Sequence, residues 1–189
     1  YYYSVDMNTK NNKIISTEMT ATERCAIFNF TFPEKETASM FIEASRGGSL
    51  GNAIIDVEKQ KIRGYNTDIM SKHLNNNPQK NFKGYFVIEF SKPFSEKGTS
   101  KDYNISEGST EVTTNAAGAY VSFDNPNNEV IQVKIGTSFI SEEQAQYNLD
   151  QEIPDWDFDK VKNNLKDIWN EKLGTIEIEG ASDDERTIF

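Results

Sequence analysis

Carboxylates are the residues of this sequence whose types and spacing come nearest to catalytic chemistry. Asp155, Asp157 and Asp159 alternate along the chain, and a second acidic group is contiguous at 183–185. A glycosidase needs two acids placed about 5–10 Å apart around its substrate. Both groups stand at the start of predicted helices, where carboxylates satisfy free backbone N–H groups. The pattern therefore favours helix capping, and we predict no catalytic residue in this chain.

The sequence has too few cysteines and histidines for most sites that these residues build. The chain has one cysteine, Cys25, and one histidine, His73. An intramolecular disulfide is impossible, and zinc or Ser-His-Asp sites lack candidate residues. The sequence also has no phosphate-binding Gly-Lys loop and no calcium-loop pattern. We therefore expect Cys25 to be a buried small side chain, His73 to be a solvated loop residue, and no metal ligand in this chain.

Aromatic side chains offer a different chemistry, because their rings can stack on sugars. The sequence is rich in Phe and Tyr, with 12 and 8 residues. Such residues also favour pleated sheet surfaces, so ordinary strand packing is the preferred interpretation. The candidates for sugar stacking are Tyr1, Tyr2, Tyr3, Tyr65 and Tyr103.

The charge balance restricts the partners. The formal net charge is −10 and the isoelectric point is near 4.7. Binding to phosphate backbones or anionic membranes needs a positive face, so we expect no nucleic-acid partner and no membrane docking. No apolar run approaches membrane-spanning length. The acidity is best interpreted as a contribution to solubility.

Short strands must position these residues over most of the chain. Apolar and aromatic residues alternate or cluster in short runs separated by turn residues, with no helical pattern between them. This order predicts an antiparallel sandwich or barrel. Two polar stretches, 71–82 and 95–116, are predicted as long loops. The predicted strands are 17–24, 26–32, 40–44, 52–62 with a hairpin break at 58–60, 85–90, 119–123 and 130–140.

The pattern becomes helical at Ser141. Residues 141–144 match a capping box, which predicts a helix to about Asp150. A second helix is predicted after the cap at 155–157, and Gly174 ends it. A short strand at 176–179 and the first turn of another helix from Ser182 follow. The apolar stripe of the second helix must be covered, either by the sandwich or by a separate helical domain; it contains Phe158, Val161, Leu165, Ile168, Trp169 and Leu173.

Several segments carry a family resemblance. The first is Ala21–Arg24, followed by alternating aromatics to Thr31–Pro33. The later segments are Tyr85–Phe94, Val133–Ser141, Asn148–Val161 and Trp169–Gly180. In this order, and over most of the chain, they resemble glycoside hydrolase family 92, a family of bacterial calcium-dependent, exo-acting α-mannosidases.

The resemblance implies a mainly β fold: an antiparallel β-sandwich of the supersandwich type followed by a helical linker. It divides the chain into a sandwich at 1–140, incomplete at its N-terminus, a linker at 141–180, and the start of an (α/α)6 catalytic barrel at 181–189. Calcium and the catalytic carboxylates are expected in that barrel, and none in this fragment. Mannose-containing glycans would bind through the parent enzyme.

The resemblance also implies roles for particular residues. The stretch around Arg24 and Cys25 matches the position from which family sandwiches reach the active-site rim, so both are candidates for substrate binding. Ala26, Ile27 and Phe28 stand where the family commonly has Gly, an aromatic residue and His. This departure leaves the usual α-1,2-mannose preference and the full activity of the parent open. Residues expected at the domain interface are Trp156, Phe158, Val161, Leu165 and Trp169.

Two functions from different classes remain at this point. The chain is expected to be the N-terminal scaffold of an α-mannosidase, located in the periplasm, on the outer surface or secreted, with a signal peptide outside this chain. The alternative is a stand-alone carbohydrate-binding or protein-interaction module. The strand-like start at Tyr1–Val5 and the helix opening at the C-terminus favour a fragment of a longer parent.

Overall fold

The computed structural model describes residues 1–34, 37–68, 81–124, 129–176 and 178–188. Three helices follow the strands: α1 (Glu142–Glu152), α2 (Phe158–Leu173) and α3 (Asp183–Ile188). The strands that precede them are β1 (Tyr3–Asn8), β2 (Ile14–Ala21), β3 (Cys25–Thr31), β4 (Ala38–Glu43), β5 (Leu50–Asp56), β6 (Lys61–Asn66), β7 (Gly84–Phe90), β8 (Glu96–Lys101), β9 (Asn104–Glu107), β10 (Glu111–Asn115), β11 (Ala117–Phe123) and β12 (Ile131–Ser138).

The strands form two antiparallel sheets, as the sequence predicted. One sheet has eight strands in the order β1-β2-β3-β12-β7-β6-β5-β10, and the other has four in the order β4-β11-β8-β9. Their facing sides enclose one apolar core. Because side chains alternate along a strand, every second residue points into it. Typical members are Ile62, Ile88, Val121, Phe123, Ile131 and Val133.

A second apolar core lies on the other face of the eight-stranded sheet. Cys25 and Ile27 of β3 point away from the sandwich and meet residues of α1 and α2. Gly136 allows this approach, because a Cβ atom there would lie 2.4 Å from the Ala145 carbonyl oxygen. The fold therefore has three layers: the four-stranded sheet, the eight-stranded sheet and the helices. The helical residues of this core are Leu149, Ile153, Phe158 and Val161.

Helix capping follows the predicted pattern. The Ser141 side chain accepts from the backbone N–H of Gln144, and Asp157 accepts from that of Lys160 at 3.0 Å. Ser182 and Glu185 exchange hydrogen bonds across the start of α3, as a capping box requires. Each of the two acidic groups, at 155–159 and 183–185, therefore supplies a residue that caps the start of a helix.

A partly buried ionic ladder fixes α1 to the eight-stranded sheet. Lys134, Glu89 and Lys61 lie opposite one another on adjacent strands. The Glu89 carboxylate lies 2.5 Å from Lys61 Nζ and 3.3 Å from Lys134 Nζ, and it accepts from Gln146 of α1 at 3.0 Å. Lys134, 4% exposed, also donates to the Ile153 carbonyl. Since a buried charge without a partner is very unfavourable, the ladder fixes the helix position.

The structure corrects two parts of the predicted element list. The stretch 95–116 contains three strands, β8 to β10, instead of a loop. Their small polar residues carry no apolar alternation. Pairing of β8 with β11, of β9 with β8 and of β10 with β5 determines their conformation. The strand predicted at 176–179 is not formed by the described residues there. The predicted loop at 71–82, with His73, lies largely outside the described residues.

Within the described ranges, no helix is both long enough and apolar enough to cross a membrane.

Candidate functional site

The candidate site lies where the turn between β2 and β3 meets the end of α1. The Glu152 carboxylate of α1 accepts hydrogen bonds from Thr22 Oγ1 at 2.5 Å, from the Arg24 backbone N–H at 3.1 Å and from Arg24 Nε at 2.6 Å. Burial alone would raise the pKa of Glu152, but these hydrogen bonds and the Arg24 charge lower it below its usual value. The carboxylate is therefore ionised at neutral pH and fixes the turn.

Arg24 is held from two sides and yet remains accessible. Its carbonyl oxygen accepts from the Thr137 backbone N–H at 3.0 Å and from the Thr137 hydroxyl at 2.8 Å. Its side chain is 55% exposed. The guanidinium has donors beyond the Nε that binds Glu152, and these can bind acceptors such as sugar hydroxyls. Arg24 is thus a pre-positioned, exposed donor.

Cys25 differs from its neighbour. The residue is 5% exposed and packs in the core beneath the helices, as predicted for a small buried side chain. Burial, followed by the nearby Glu152 charge, raises the pKa of the thiol to about 12. The thiol is therefore protonated and shielded at neutral pH. Of the two predicted substrate-binding residues, the structure leaves only the Arg24 side chain facing open space, and the role of both stays a prediction.

A groove beside Arg24, which we call the Arg24 groove, has a volume of about 540 Å³. One wall is the β2–β3 turn with Glu152, and the other is α2. The α2 wall contains Val161, Leu165, Ile168, Trp169 and Lys172. A polar floor with an apolar wall suits either a glycan or a packed domain.

The predicted interface residues of α2 divide into two groups. Phe158 and Val161 are each 6% exposed and pack on the chain's own sheet, and Trp156 packs against them with its ring 4.5 Å from Lys134 Nζ. Further along the helix, Leu165 is half-buried and Trp169 is 50% exposed. The sandwich therefore covers the start of the apolar stripe and leaves its end uncovered.

A second groove on the far side of Arg24 was missed by the sequence analysis. The exposed rings of Phe82 and Phe139 stack with centroids 5.3 Å apart at its edge. Phe139 and Ile140 are each 75% exposed, because β12 ends at Ser138 and not at 140 as predicted. A Phe-Ile pair directly before the Ser141 cap was the available signal. Arg24, Tyr85, Thr137 and Asn148 line the same groove.

Among the described residues, no group of three or more His, Cys, Asp or Glu side chains could hold a metal ion. The aspartates near 155 instead bind lysines: Asp155 binds Lys160 at 3.1 Å, and Asp159 binds Lys162 at 2.6 Å.

Comparison with known proteins decides the family. The family model described as the glycosyl hydrolase family 92 N-terminal domain matches residues 1–138, and that of the family 92 catalytic domain matches residues 144–189. The chain belongs to glycosyl hydrolase family 92. In this family 92 chain the catalytic-domain match includes α1 and α2, which we interpreted as a linker.

Three relatives place this family 92 chain among longer proteins. The inverting family GH92 mannosidase of Bacteroides thetaiotaomicron is 33% identical with a TM-score of 0.83, over 97% of this chain and 23% of that one. A GH92 α-mannosidase of the same organism shares the fold at 22% identity and a TM-score of 0.74, over 95% and 24%. A secreted glycosidase of Arthroderma benhamiae is 28% identical over 96% of this chain and 26% of its own length. The chain thus spans about a quarter of each.

Proposed function

We propose that this chain is the N-terminal part of a bacterial, exo-acting, calcium-dependent α-mannosidase that hydrolyses with inversion. Membership of family 92 and the 33% identity to an inverting mannosidase support the proposal. Because the chain spans about a quarter of its relatives, the activity is proposed for a longer parent. The relative from Arthroderma benhamiae is a secreted glycosidase, which supports a periplasmic, outer-surface or secreted location for the parent.

The uncovered end of the α2 stripe is the observation that carries the proposed role. Ile168, Trp169 and Leu173 are 50–67% exposed on a helix whose start is firmly packed. An exposed apolar row beside a polar groove is typical of an interaction surface. We propose that the catalytic barrel covers this row, and that Trp156, Phe158 and Val161 transmit its orientation to the sandwich.

Arg24 is proposed to contribute to the rim of the sugar pocket. The Glu152 carboxylate and Thr137 restrict the Arg24 position on both sides, so little conformational entropy is lost when the guanidinium binds a ligand. Its free N–H groups would donate to hydroxyl oxygens of a mannose-containing glycan. The buried Cys25 side chain would not touch the glycan. It would hold the turn in place by packing beneath it.

Hydrolysis with inversion would take place on residues of the barrel. Water attacks the anomeric carbon with help from a basic carboxylate, while a carboxylic acid protonates the leaving oxygen from the other side. Calcium takes about six to eight oxygen ligands. Among the described residues, no group of three or more His, Cys, Asp or Glu side chains could hold a metal ion, and calcium is proposed to bind residues of the barrel.

Kinetics of the full-length parent test the proposal. With calcium present, the parent should release mannose from α-mannosides, and NMR should detect the inverted β-anomer first. Arg24→Ala should reduce kcat/KM at least about tenfold, mainly through KM, since about 1.4 kcal/mol of lost binding gives that factor. Lys10→Ala, which removes an exposed cation on the β1–β2 turn away from the groove, is the matched control and should change little. Absence of mannose release by the calcium-loaded parent would refute the enzyme assignment.

A further inference from the structure

The outer face of the four-stranded sheet carries a set of aromatic side chains unrelated to the Arg24 groove. On β11, Ala117, Ala119 and Val121 point into the core, so the alternate residues Gly118 and Tyr120 point outward. Phe41 of β4 lies opposite Tyr120, and Gly98 of β8 lies opposite it on the other side. The outward residues of three adjacent strands therefore form one continuous face.

Two aromatic rings on this face lie flat over glycine residues of the neighbouring strands. A Cβ atom on Gly118 would be 2.6 Å from Cζ of Phe41, and one on Gly98 would be 2.4 Å from Cε1 of Tyr120. Since the distal ring atoms occupy the space above neighbouring strands, the rings extend along the sheet and do not project from it. Phe41 is nevertheless 47% exposed. The glycines thus give the face a low, flat profile.

Tyr103 completes the face from the β8–β9 turn. Asp102 and Tyr103 both have positive φ, at 49° and 63°, as in a two-residue hairpin turn where Asn and Gly are preferred. A tyrosine in this conformation is strained, and such strain is commonly found at binding sites. The Tyr103 hydroxyl reaches back across the sheet and donates to Glu43 at 2.8 Å, while the residue remains 64% exposed.

Polar groups surround these rings. Glu43 lies at the Tyr103 end. Glu107 lies opposite Gly98 on β9, and Glu96 lies two residues before Gly98 on β8. Both therefore stand on the outward face with Tyr120. Burial raises the pKa of Tyr120, and the charges of these two carboxylates raise it further. The Ser100 hydroxyl, on the strand position opposite Gly118, is buried and has no hydrogen-bond partner among the described residues. The surround is acidic and rich in hydrogen-bond acceptors.

We propose that this surface, defined by Phe41, Tyr103 and Tyr120 and called the aromatic face, binds the chain of a neutral polysaccharide. A pyranose ring presents an apolar C–H surface that packs on a flat aromatic group. Its hydroxyls point outward at the ring edge, where Glu43, Glu96 and Glu107 can accept their hydrogen bonds. The same carboxylates repel uronates and phosphorylated ligands. The face therefore selects for uncharged sugars.

The position of the aromatic face separates it from the proposed docking surface. The eight-stranded sheet and the sandwich core lie between it and helices α1 and α2. A domain that covers the exposed end of α2 would leave the aromatic face open. A glycan bound there would keep a polymeric substrate near the protein without entering a catalytic pocket.

Native affinity electrophoresis of this chain tests the inference without any need for hydrolysis, so its outcome is separate from that of the proposed mannosidase. Gels would contain α-mannan, galactomannan, β-glucan or polygalacturonate. We expect retardation by a neutral polysaccharide and none by polygalacturonate. Phe41→Ala and Tyr103→Ala should each weaken the apparent affinity about tenfold or more, since stacked aromatics carry much of such binding. Tyr147→Ala, an exposed aromatic on α1 away from both grooves, should bind like the unmodified chain.

Other results would overturn the inference. These are unretarded migration in all three neutral polysaccharides, retardation by polygalacturonate alone, and equal retardation of the two face variants and the control. Sedimentation at several protein concentrations tests whether a second copy of this chain occupies the aromatic face. A dimer that Phe41→Ala dissociates would assign the aromatic face to self-association. Unfolding curves for each variant show that lost binding does not reflect lost folding.

Discussion

Arg24 Nε donates a 2.6 Å hydrogen bond to Oε1 of Glu152, joining two residues that are 128 positions apart in the sequence. The pair fastens the first helix to the turn between β2 and β3. It also places an exposed guanidinium between two grooves. The geometry of the candidate site therefore depends on a contact between the sandwich and the helices.

Glu152 is predicted to matter more for stability than Arg24. Glu152→Ala removes the acceptor of three hydrogen bonds and should lower the free energy of unfolding by about 1–3 kcal/mol. Arg24→Ala should have a smaller effect, because water screens the ion pair that the exposed guanidinium makes with Glu152. Urea unfolding measures both, with Glu171→Ala on the exposed side of α2 as the control. Equal losses for Arg24→Ala and Glu152→Ala would contradict the ranking.

Lys134 is predicted to be essential to the attachment of α1. Lys134→Met keeps the length of the side chain but leaves Glu89 with less positive charge and the Ile153 carbonyl without its donor. Loss of the hydrogen bond to the carbonyl and of part of the charge pairing should lower the free energy of unfolding by about 1–3 kcal/mol, so the unfolding midpoint should fall clearly. Lys172→Met, exposed on α2, is the matched control. A Lys134→Met protein as stable as the control would rule out the proposed ladder.

Acid should weaken the fold through Glu89 and Glu152. Burial alone would raise the pKa of Glu89, but its bonds to Lys61 and Gln146 and the Lys134 charge lower it, and the pKa of Glu152 is also lowered. The unfolded chain then binds protons more readily than the folded chain. This stabilisation is complete above the usual carboxyl pKa, about 4.3, and is lost as pH falls through the lower folded values.

Urea unfolding from about pH 6 to about pH 3.5 measures this loss, which the linkage relation describes. Glu89→Gln and Glu152→Gln should each flatten the pH dependence. Glu179→Gln, at an exposed position, should leave it unchanged. A wild-type pH dependence in both buried-site variants would mean that other carboxylates govern the acid transition.

Cys25 should be unreactive in the folded chain. A thiol with a pKa of about 12 has a thiolate fraction at pH 8 that is lower than that of a free cysteine by about three orders of magnitude. Alkylation by iodoacetamide should therefore be about a thousandfold slower than in urea, where the same cysteine is the internal control. Mass spectrometry follows the modification. Rapid labelling of the folded chain would place the thiol outside the core.

The two halves of α2 should respond differently to truncation. Phe158→Ala opens a cavity in the second core and should cost about 3–5 kcal/mol. Trp169→Ala removes a half-exposed side chain and should change the stability of this chain by about 0.5 kcal/mol or less. In the full-length parent, Trp169→Ala should become clearly destabilising, as thermal unfolding would detect. An unchanged transition there would contradict coverage of the stripe by the barrel.

The sequence predicted the sandwich well where strands carry apolar residues. Tyr85–Phe90 and the run ending near Ser138 are buried on both faces, so their apolar content was visible directly. The strands at 96–115 escaped prediction, because Gly98, Thr99 and Ser100 have no apolar alternation. Their conformation comes from pairing with β11 and β5. Strand pairing of this kind is a long-range property that local patterns do not contain.

The amino-acid sequence by itself determined the antiparallel strand-rich class, the helix starts and the apolar stripe of α2, because alternation, capping and helical periodicity depend on neighbouring residues. Only the tertiary structure decided which end of that stripe is covered, that Lys134, Glu89 and Lys61 meet, and that Phe41 and Tyr103 share one face. These contacts join residues distant in the chain. Their free energies depend on strand register and burial, which exist only once the sheets have assembled.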